Sequence, residues 1–411
     1  LLALVLQAGR RVAAALTYRD FRLLWCGALG SSIGTWMQKV AQAWLIVTLT
    51  GTASAFYIGL DSFLGELPIL LFTLIGGVVA DRANRRHLLL TSQCVQMAAA
   101  FTLALLVYTD RIHVALILSL SFLTGIAQAF GGPAYQSLIP SLVPKDTLPN
   151  AIALNSIQFN LARVIGPVVA GAALAAFGMV ACFGLNGLSF LFVIAALMAL
   201  HVSHVPPTNS AGMREQLRGG LHFVRHHPQL ITLTILGFIS AFLGLPLLTF
   251  LPIITKDVFQ QDVVLYTHFM TIAGMGAVVG ALIVAWVGKH RHMGWLLLVM
   301  QALLGLTAIA FSLSREIWLS QLLLFAGGAM LVTCFSMTTS LVQLLAPHEL
   351  RGRVVSIYMV AFRGGSPLGG LISGWLVTQV GSAPFVLALN GGLLTIVALI
   401  AMTRDHGLRE I

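Results

Sequence analysis

The sequence predicts an all-α integral membrane protein: twelve transmembrane helices in two pseudo-symmetric six-helix bundles. Three observations carry the prediction. The 411 residues are 58% hydrophobic and only 9% charged, where a soluble domain carries about 25% charged residues. The apolar runs divide into twelve segments, each long enough for a bilayer crossing of about 20 residues. Patterns in the first half recur, in order, about 200 residues further on, the mark of duplicated halves.

The runs cover 21–48, 54–80, 87–109, 113–140, 150–176, 180–201, 230–256, 265–288, 293–313, 317–344, 353–379 and 383–403. Connections of a few residues force neighbouring helices to run antiparallel. The exception is the stretch from His201 to Gln229, which contains Pro206-Pro207. Leu217, Leu221 and Val224 share one face there, with Arg214, Arg218 and Arg225 largely elsewhere, the pattern of an amphipathic surface helix. The expected domains are an amino-terminal bundle (1–201), a cytoplasmic linker (202–229) and a carboxy-terminal bundle (230–411). The repeat supports that division. Phe122-Leu-Thr-Gly125, Ser137-Leu138 and Pro144-Lys-Asp146 are echoed by Phe325-Ala-Gly-Gly328, Ser340-Leu341 and Pro347-His-Glu349, and Arg163 to Pro167 by Arg363 to Pro367.

Net charge is +10, but its placement decides its meaning. With both termini cytoplasmic, most of the 23 basic residues lie in inside segments and only Arg111, Lys256 and Arg315 lie outside. That bias sets membrane orientation and argues against a nucleic-acid surface. Cys26, Cys94, Cys182 and Cys334 sit in four different runs without metal or redox spacing. His348-Glu349 begins a zinc-protease pattern, but Gly352 stands where a second His is needed. His222 and His226 have metal-ligand spacing on the linker, yet no Cys or acid completes a site. Gly274-Met-Gly276 lies inside a span, where small-residue helix packing accounts for it. No phosphate-binding Walker loop occurs, and no nucleophile–base constellation. No metal, cofactor or enzyme activity is expected.

The ten residues from Gly77 to Arg86 read Gly-Val-Val-Ala-Asp-Arg-Ala-Asn-Arg-Arg, with Asp81 at the end of the second span and Arg82, Arg85 and Arg86 around it. This resembles the loop signature of the major facilitator superfamily. Asn84 stands where the family usually has Gly, and Asn is the next most tolerant residue for a left-handed backbone. The stretch from Pro133 to Ser156, with that from Asn160 to Gly171, resembles the branch holding the enterobactin exporter and the macrolide efflux proteins. The lysophospholipid transporter is a more distant relative. The resemblance implies that Gly77, Asp81, Arg82, Arg85 and Arg86 form an inner gate, and that helices one, four, seven and ten line the cavity. It further implies proton-driven export of a small amphiphilic molecule by a monomer in a bacterial cytoplasmic membrane. The second copy of the loop, Gly288 to His292, has no acid, so gating is expected to be asymmetric.

Charged side chains within spans are the first functional candidates, because each costs about 2.5–3.5 kcal/mol at a helix centre. They are Lys39, Asp61, Glu66, Arg163 and Arg363. Lys39 and Asp61 both fall roughly 30 Å from the cytoplasmic edge at about 1.5 Å per residue, which allows a pair on adjacent helices. Asp61 and Glu66 are the proton-coupling candidates; Glu66 lies deeper, just before Pro68, with either a proton or Arg363 to neutralise it. Arg163 and Arg363 occupy matched positions before Pro167 and Pro367, and neither can shed its proton. Three interior cations against two acids favour a substrate with an anionic group. Ser31, Thr35, Gln38 and Gln42 make one polar stripe on helix one, and Ser121, Thr124, Gln128 and Tyr135 make another on helix four. These stripes meet substrate or bond to other helices. Helix eight adds Tyr266 and Met270, and helix ten adds Gln321, Phe325, Phe335 and Thr339, as apolar and aromatic walls or as core. The substrate-binding candidates are therefore Ser31, Thr35, Gln38, Lys39, Gln42, Thr124, Gln128, Tyr135, Arg163 and Arg363. A lysophospholipid transporter or flippase of the same fold, and an importer of a small metabolite, are the alternatives to an exporter.

Overall fold

The computed structural model describes residues 14–201, 221–287, 292–347 and 350–404. Most of the expected linker helix, nearly all of the Gly288–His292 loop and the His348-Glu349 pair lie outside them, as do the side chains of Leu74, Asp81 and Arg82. Among the described residues all regular structure is helical.

Apolar runs form helices in a bilayer because the backbone must satisfy its own polar groups there. α1 covers Arg19–Thr50, α2 Ser54–Arg82, α3 Arg85–Tyr108 and α4 Val114–Leu142. The next element, Leu148–Ala199, is divided by Gly178 at φ 76° and ψ −174°, a conformation that only glycine adopts without strain. We name the part before it α5 and the part after it α6. Residues 228–257 form α7 in pieces: Pro228–Ile239, a π-type turn over Ser240–Gly244, then Pro246–Thr249 and Leu251–Asp257. Pro246 and Pro252 lack the N–H that would continue the ladder. α8 is Val263–Val287, α9 Met293–Leu313, α10 Ile317–Leu345, α11 Arg351–Val380 and α12 Ala383–Arg404.

By length and hydropathy alone, nine stretches among the described residues qualify to cross a membrane. Two of them, Arg19–Thr73 and Leu148–Ala199, run to 55 and 52 residues, enough for two crossings each. α11 does not qualify, although its 30 residues are ample. Arg351, Arg353, Arg363 and a run of glycines dilute its apolar content.

The helices fall into two compact units. One comprises Leu1–Leu45 and Leu64–Thr208, the other Ile46–Phe63 and Asn209–Ile411. The end of α1 and the start of α2 thus belong with the second unit. The core of the first holds Leu24, Leu89, Leu138, Ile139, Phe190 and Leu197. The second has one cluster around Leu233, Leu297, Met337, Leu341 and Tyr358, and another around Leu243, Leu304, Leu331 and Leu394.

Close helix approach at small residues holds each unit, since lipid tails give helices no hydrophobic reason to associate. In the first unit a Cβ on Gly125 of α4 would run into the Gly65 carbonyl of α2. In the second, a Cβ on Gly328 of α10 would run into the Ala273 carbonyl of α8. Gly125 and Gly328 are corresponding positions of the repeat. Gly166 of α5 likewise abuts Trp36 and the Ile33 carbonyl of α1, and Gly365 of α11 abuts the Phe238 carbonyl of α7.

Gly125→Ala and Gly328→Ala are expected to destabilise the protein by about 1–3 kcal/mol each, the usual cost of overpacking. Gly184→Ala and Gly392→Ala, where an added Cβ meets nothing within 4 Å, are expected to stabilise it by about 0.4–1 kcal/mol. Thermal melts of the four variants in one detergent check both signs.

Candidate functional site

The hairpin between α2 and α3 is built by capping. Asn84 is not left-handed; its backbone is extended at φ −67° and ψ 107°. Its side-chain oxygen accepts from the N–H groups of Arg86 at 3.1 Å and His87 at 3.2 Å, satisfying two of the donors that a helix start leaves open. A glycine here would lose that cap. Arg85 reaches back to the Ala80 carbonyl through Nε at 3.4 Å and across to the Ser137 carbonyl of α4 through Nη1 at 3.2 Å. The Arg86 Nη2 donates to the Met198 carbonyl of α6 at 2.7 Å. The two arginines therefore tie the hairpin to two different helices. Gly77 has open space where a Cβ would be, and the close approach is made next door, by Gly76 onto Ala129 of α4. Asp81 and Arg82 complete the expected gate, but their side chains lie outside the described residues.

The polar stripes of α1 and α4 are largely consumed within the first unit. Asn186 of α6 donates to Gln38 Oε1 at 2.6 Å, and Gln42 donates to Ser121 Oγ at 2.9 Å. Gln96 of α3 donates to Gln128 Oε1 at 3.4 Å, and the Tyr135 hydroxyl donates to Asn155 Oδ1 of α5 at 2.7 Å. Thr35 and Thr124 return their hydroxyls to backbone carbonyls, both of Ser31 and Ser121 respectively, at 2.9 Å. Ser31 is buried. Gln158 of α5 adds bonds to the Ala28 carbonyl at 3.2 Å and to Ser32 Oγ at 2.7 Å.

Three side chains near this network stand apart from it. Trp36 of α1 has Lys39 Nζ over its ring at 5.0 Å and the Arg163 Cζ at 5.8 Å. Phe159 meets the same indole edge-on at 6.0 Å. A tryptophan face is the best aromatic partner for a cation, but it uses up none of the N–H donors of either group. Among the described residues neither Lys39 nor Arg163 has a hydrogen bond or an ion pair. The result is an aromatic platform between two cations with their donors unspent. Sequence reading singled out the cations but not Trp36, Asn155, Gln158 or Asn186. Its three-residue spacing from Lys39 was the available signal for Trp36.

Glu66 of α2 is half-buried, directly after Gly65 of the Gly65–Gly125 contact, and no described residue bonds or pairs with it. Asp61, by contrast, is engaged by its surroundings. Arg363 of α11 is exposed and has no polar partner among the described residues. The residues named on α8 and α10 divide. Tyr266 is buried, Phe335 meets Phe362 at 4.6 Å edge-on, and the Thr339 hydroxyl donates to the Phe335 carbonyl at 2.8 Å. Phe325 lends its carbonyl to the close approach of Gly276.

Comparison with known proteins gives these observations a setting. The family model described as "transmembrane secretion effector" matches residues 12–409. The staphyloferrin A transporter of Staphylococcus aureus is 24% identical over 344 residues, covering 83% of this chain and 85% of that protein. Macrolide efflux protein A of Streptococcus pyogenes is 22% identical, covering 92% and 94%. The multidrug efflux pump Tap of Mycolicibacterium fortuitum is 26% identical, covering 90% and 91%. Among solved structures, a mutant of the nucleoside transporter NupG aligns with a TM-score of 0.74 at 13% identity, covering 93% of this chain and 99% of that one. A bacterial homologue of the lysosomal transporter Spinster aligns at 0.71 and 15% identity, covering 95% and 98%. At those identities the structures speak for the fold alone.

Asn84→Ala is expected to cost about 1 kcal/mol through loss of the cap, and Asn84→Ser to recover most of it. Thermal melts check the order, and a glycine at 84 should fall between the two.

Proposed function

Because the chain belongs to the transmembrane secretion effector family, among the transporters of the major facilitator superfamily, we propose that it is a proton-coupled exporter of a small amphiphilic molecule carrying an anionic group. It works by alternating access in a bacterial cytoplasmic membrane, with both termini on the cytoplasmic side. The observation that carries the coupling is Glu66, a membrane-embedded carboxylate with no partner among the described residues. Carboxylates held within the membrane are the groups from which proton relays in pumps and transporters are built. Asp61 is the second acid on the same helix. Each charge moved down the membrane potential supplies about 2.3 kcal/mol per 100 mV, enough to hold a useful gradient of substrate.

The anionic part of the reading rests on Lys39, Arg163 and Trp36. A carboxylate or phosphate beside the indole accepts the donors that the cation–π contacts leave open, while Phe159 offers apolar surface to the remainder of the molecule. The hydrogen-bonded stripes of α1 and α4 hold this platform in place. Arg85 and Arg86 anchor the hairpin, and with Gly77, Asp81 and Arg82 they make up the inner gate.

The test is transport by purified protein in liposomes, with and without an imposed pH gradient, of an anionic siderophore, a cationic drug and a lysophospholipid. Gradient-dependent uptake of the siderophore, abolished by Glu66→Gln and kept by Asp61→Asn, is the expected result. Transport indifferent to the gradient and to both substitutions overturns the coupling. Preference for the lysophospholipid brings the lipid-transporter alternative forward. Arg163→Gln is expected to raise the KM for the anionic substrate about tenfold or more while leaving the cationic drug unaffected. An equal loss for both substrates removes Arg163 from recognition.

A further inference from the structure

A groove of about 660 Å³ opens along α3 and α6, lined by Arg86, Leu90, Thr91, Cys94, Val95, Ala98, Ile194 and Met198. It lies wholly within the first unit, away from Lys39, Trp36 and Arg163. Thr91, Cys94, Ala98 and Met198 are exposed on its walls. Apart from the arginine the described lining is apolar or small, and it includes no carboxylate.

The groove is graded along its length. Arg86 is the second residue of α3 and Met198 the last but one of α6, so its mouth sits at the end of both helices. Ala98 is a further twelve residues along α3, roughly 18 Å at about 1.5 Å per residue. Half of a hydrocarbon core about 30 Å thick is close to that length. A cation at headgroup depth thus stands over an apolar channel one leaflet long.

The state of the guanidinium is the second observation. Arg86 Nη2 is held by the Met198 carbonyl at 2.7 Å, but Nε is buried with no acceptor among the described residues. A guanidinium carries five N–H donors in a fixed fork, and a buried charged donor left without an acceptor is costly. A phosphate oxygen is the matching acceptor, since arginine binds phosphate in a two-pronged fashion. Basic pockets between transmembrane helices at a membrane surface suit anionic lipid headgroups for this reason.

We infer that this groove binds one anionic phospholipid of the leaflet bathing the hairpin end, with its phosphate on Arg86 and an acyl chain between α3 and α6 down to Ala98. The phosphate accepts from Nη1 and, after a small rotation of the side chain, from Nε. A zwitterionic lipid is disfavoured because its ammonium would sit beside Arg86, with no carboxylate among the described lining residues to receive it. The site is separate from the substrate platform, and it places the lipid on the same side chain that joins the hairpin to α6.

The experiment is native mass spectrometry of the full-length protein with equal amounts of phosphatidylglycerol and phosphatidylethanolamine of matched chains. Phosphatidylglycerol is expected to be retained at least threefold in preference, with Arg86→Gln abolishing the preference and Arg86→Lys keeping part of it. Ala98→Trp, which fills the far end of the groove and leaves Arg86 intact, is expected to reduce retention at least threefold. sn-Glycerol 3-phosphate alone is expected not to be retained. Absence of a preference in the unaltered protein, or retention unchanged in Ala98→Trp, overturns the inference; so does retention of glycerol phosphate as strong as that of the lipid. Should Arg86→Gln fail to fold, Ile194→Trp beside Ala98→Trp gives the same decision, since neither touches the hairpin. Labelling of the native Cys94 by a lipid-soluble maleimide supplies a second readout. It should slow several-fold in phosphatidylglycerol vesicles relative to phosphatidylcholine vesicles, while Cys26 labels equally in both; equal rates at Cys94 count against the site.

Discussion

A hydrocarbon solvent offers a polar group no partner, and this constraint shapes nearly every contact in the protein. It compels the backbone into helices. It then compels hydroxyls back onto carbonyls one turn earlier, as at Thr50, Thr102 and Thr234, and amides onto neighbouring helices, as at Gln158 and Asn186. Because burial of apolar surface does not draw helices together in lipid, contact falls to small residues that let backbones touch. Side chains that escape this accounting are consequently few and informative. Lys39, Glu66, Arg163 and Arg363 are the membrane-embedded charges without a polar partner among the described residues, and the proposed function rests on the first three.

The duplicated halves share a scaffold more than a chemistry. Gly125 and Gly328 make the same helix contact in the two units, and Gly166 and Gly365 make closely related ones. The charges do not repeat in the same way. The first unit has Lys39, Arg163 and Glu66 within its membrane-embedded helices, whereas the second has Asp61 and, at the position matching Arg163, Arg363. Packing geometry has to be kept for either half to fold, while a binding group is free to diverge once one half supplies it.

Much of the architecture was legible in the sequence because long apolar runs, prolines and glycines act locally. The break at Gly178 fell where the pattern predicted a connection, and the repeat pointed to glycines that make corresponding contacts. What local pattern does not carry is the identity of partners. Gln38 and Asn186 are 148 positions apart, and nothing along either helix distinguishes a polar stripe facing a neighbour from one facing a cavity. The same holds for Trp36, which reads as one more apolar residue until Lys39 and Arg163 are placed over its ring. Asn84 shows a different limit: its composition fitted a turn, but capping rather than a left-handed backbone is what it provides. The grouping of 46–63 with the second unit depends on contacts such as that of Lys256 Nζ with the Val47 carbonyl at 3.2 Å, which no periodicity reveals.

Only Ala83 and Asn84 separate α2 from α3. With so little chain between them, the two helices must run antiparallel. α2 carries Asp61, Glu66 and Asp81, and a charge at mid-membrane is unfavourable by about 2.5–3.5 kcal/mol, whereas α3 is free of charge from His87 to Tyr108. The apolar second helix thereby offsets part of the cost of carrying acids on the first.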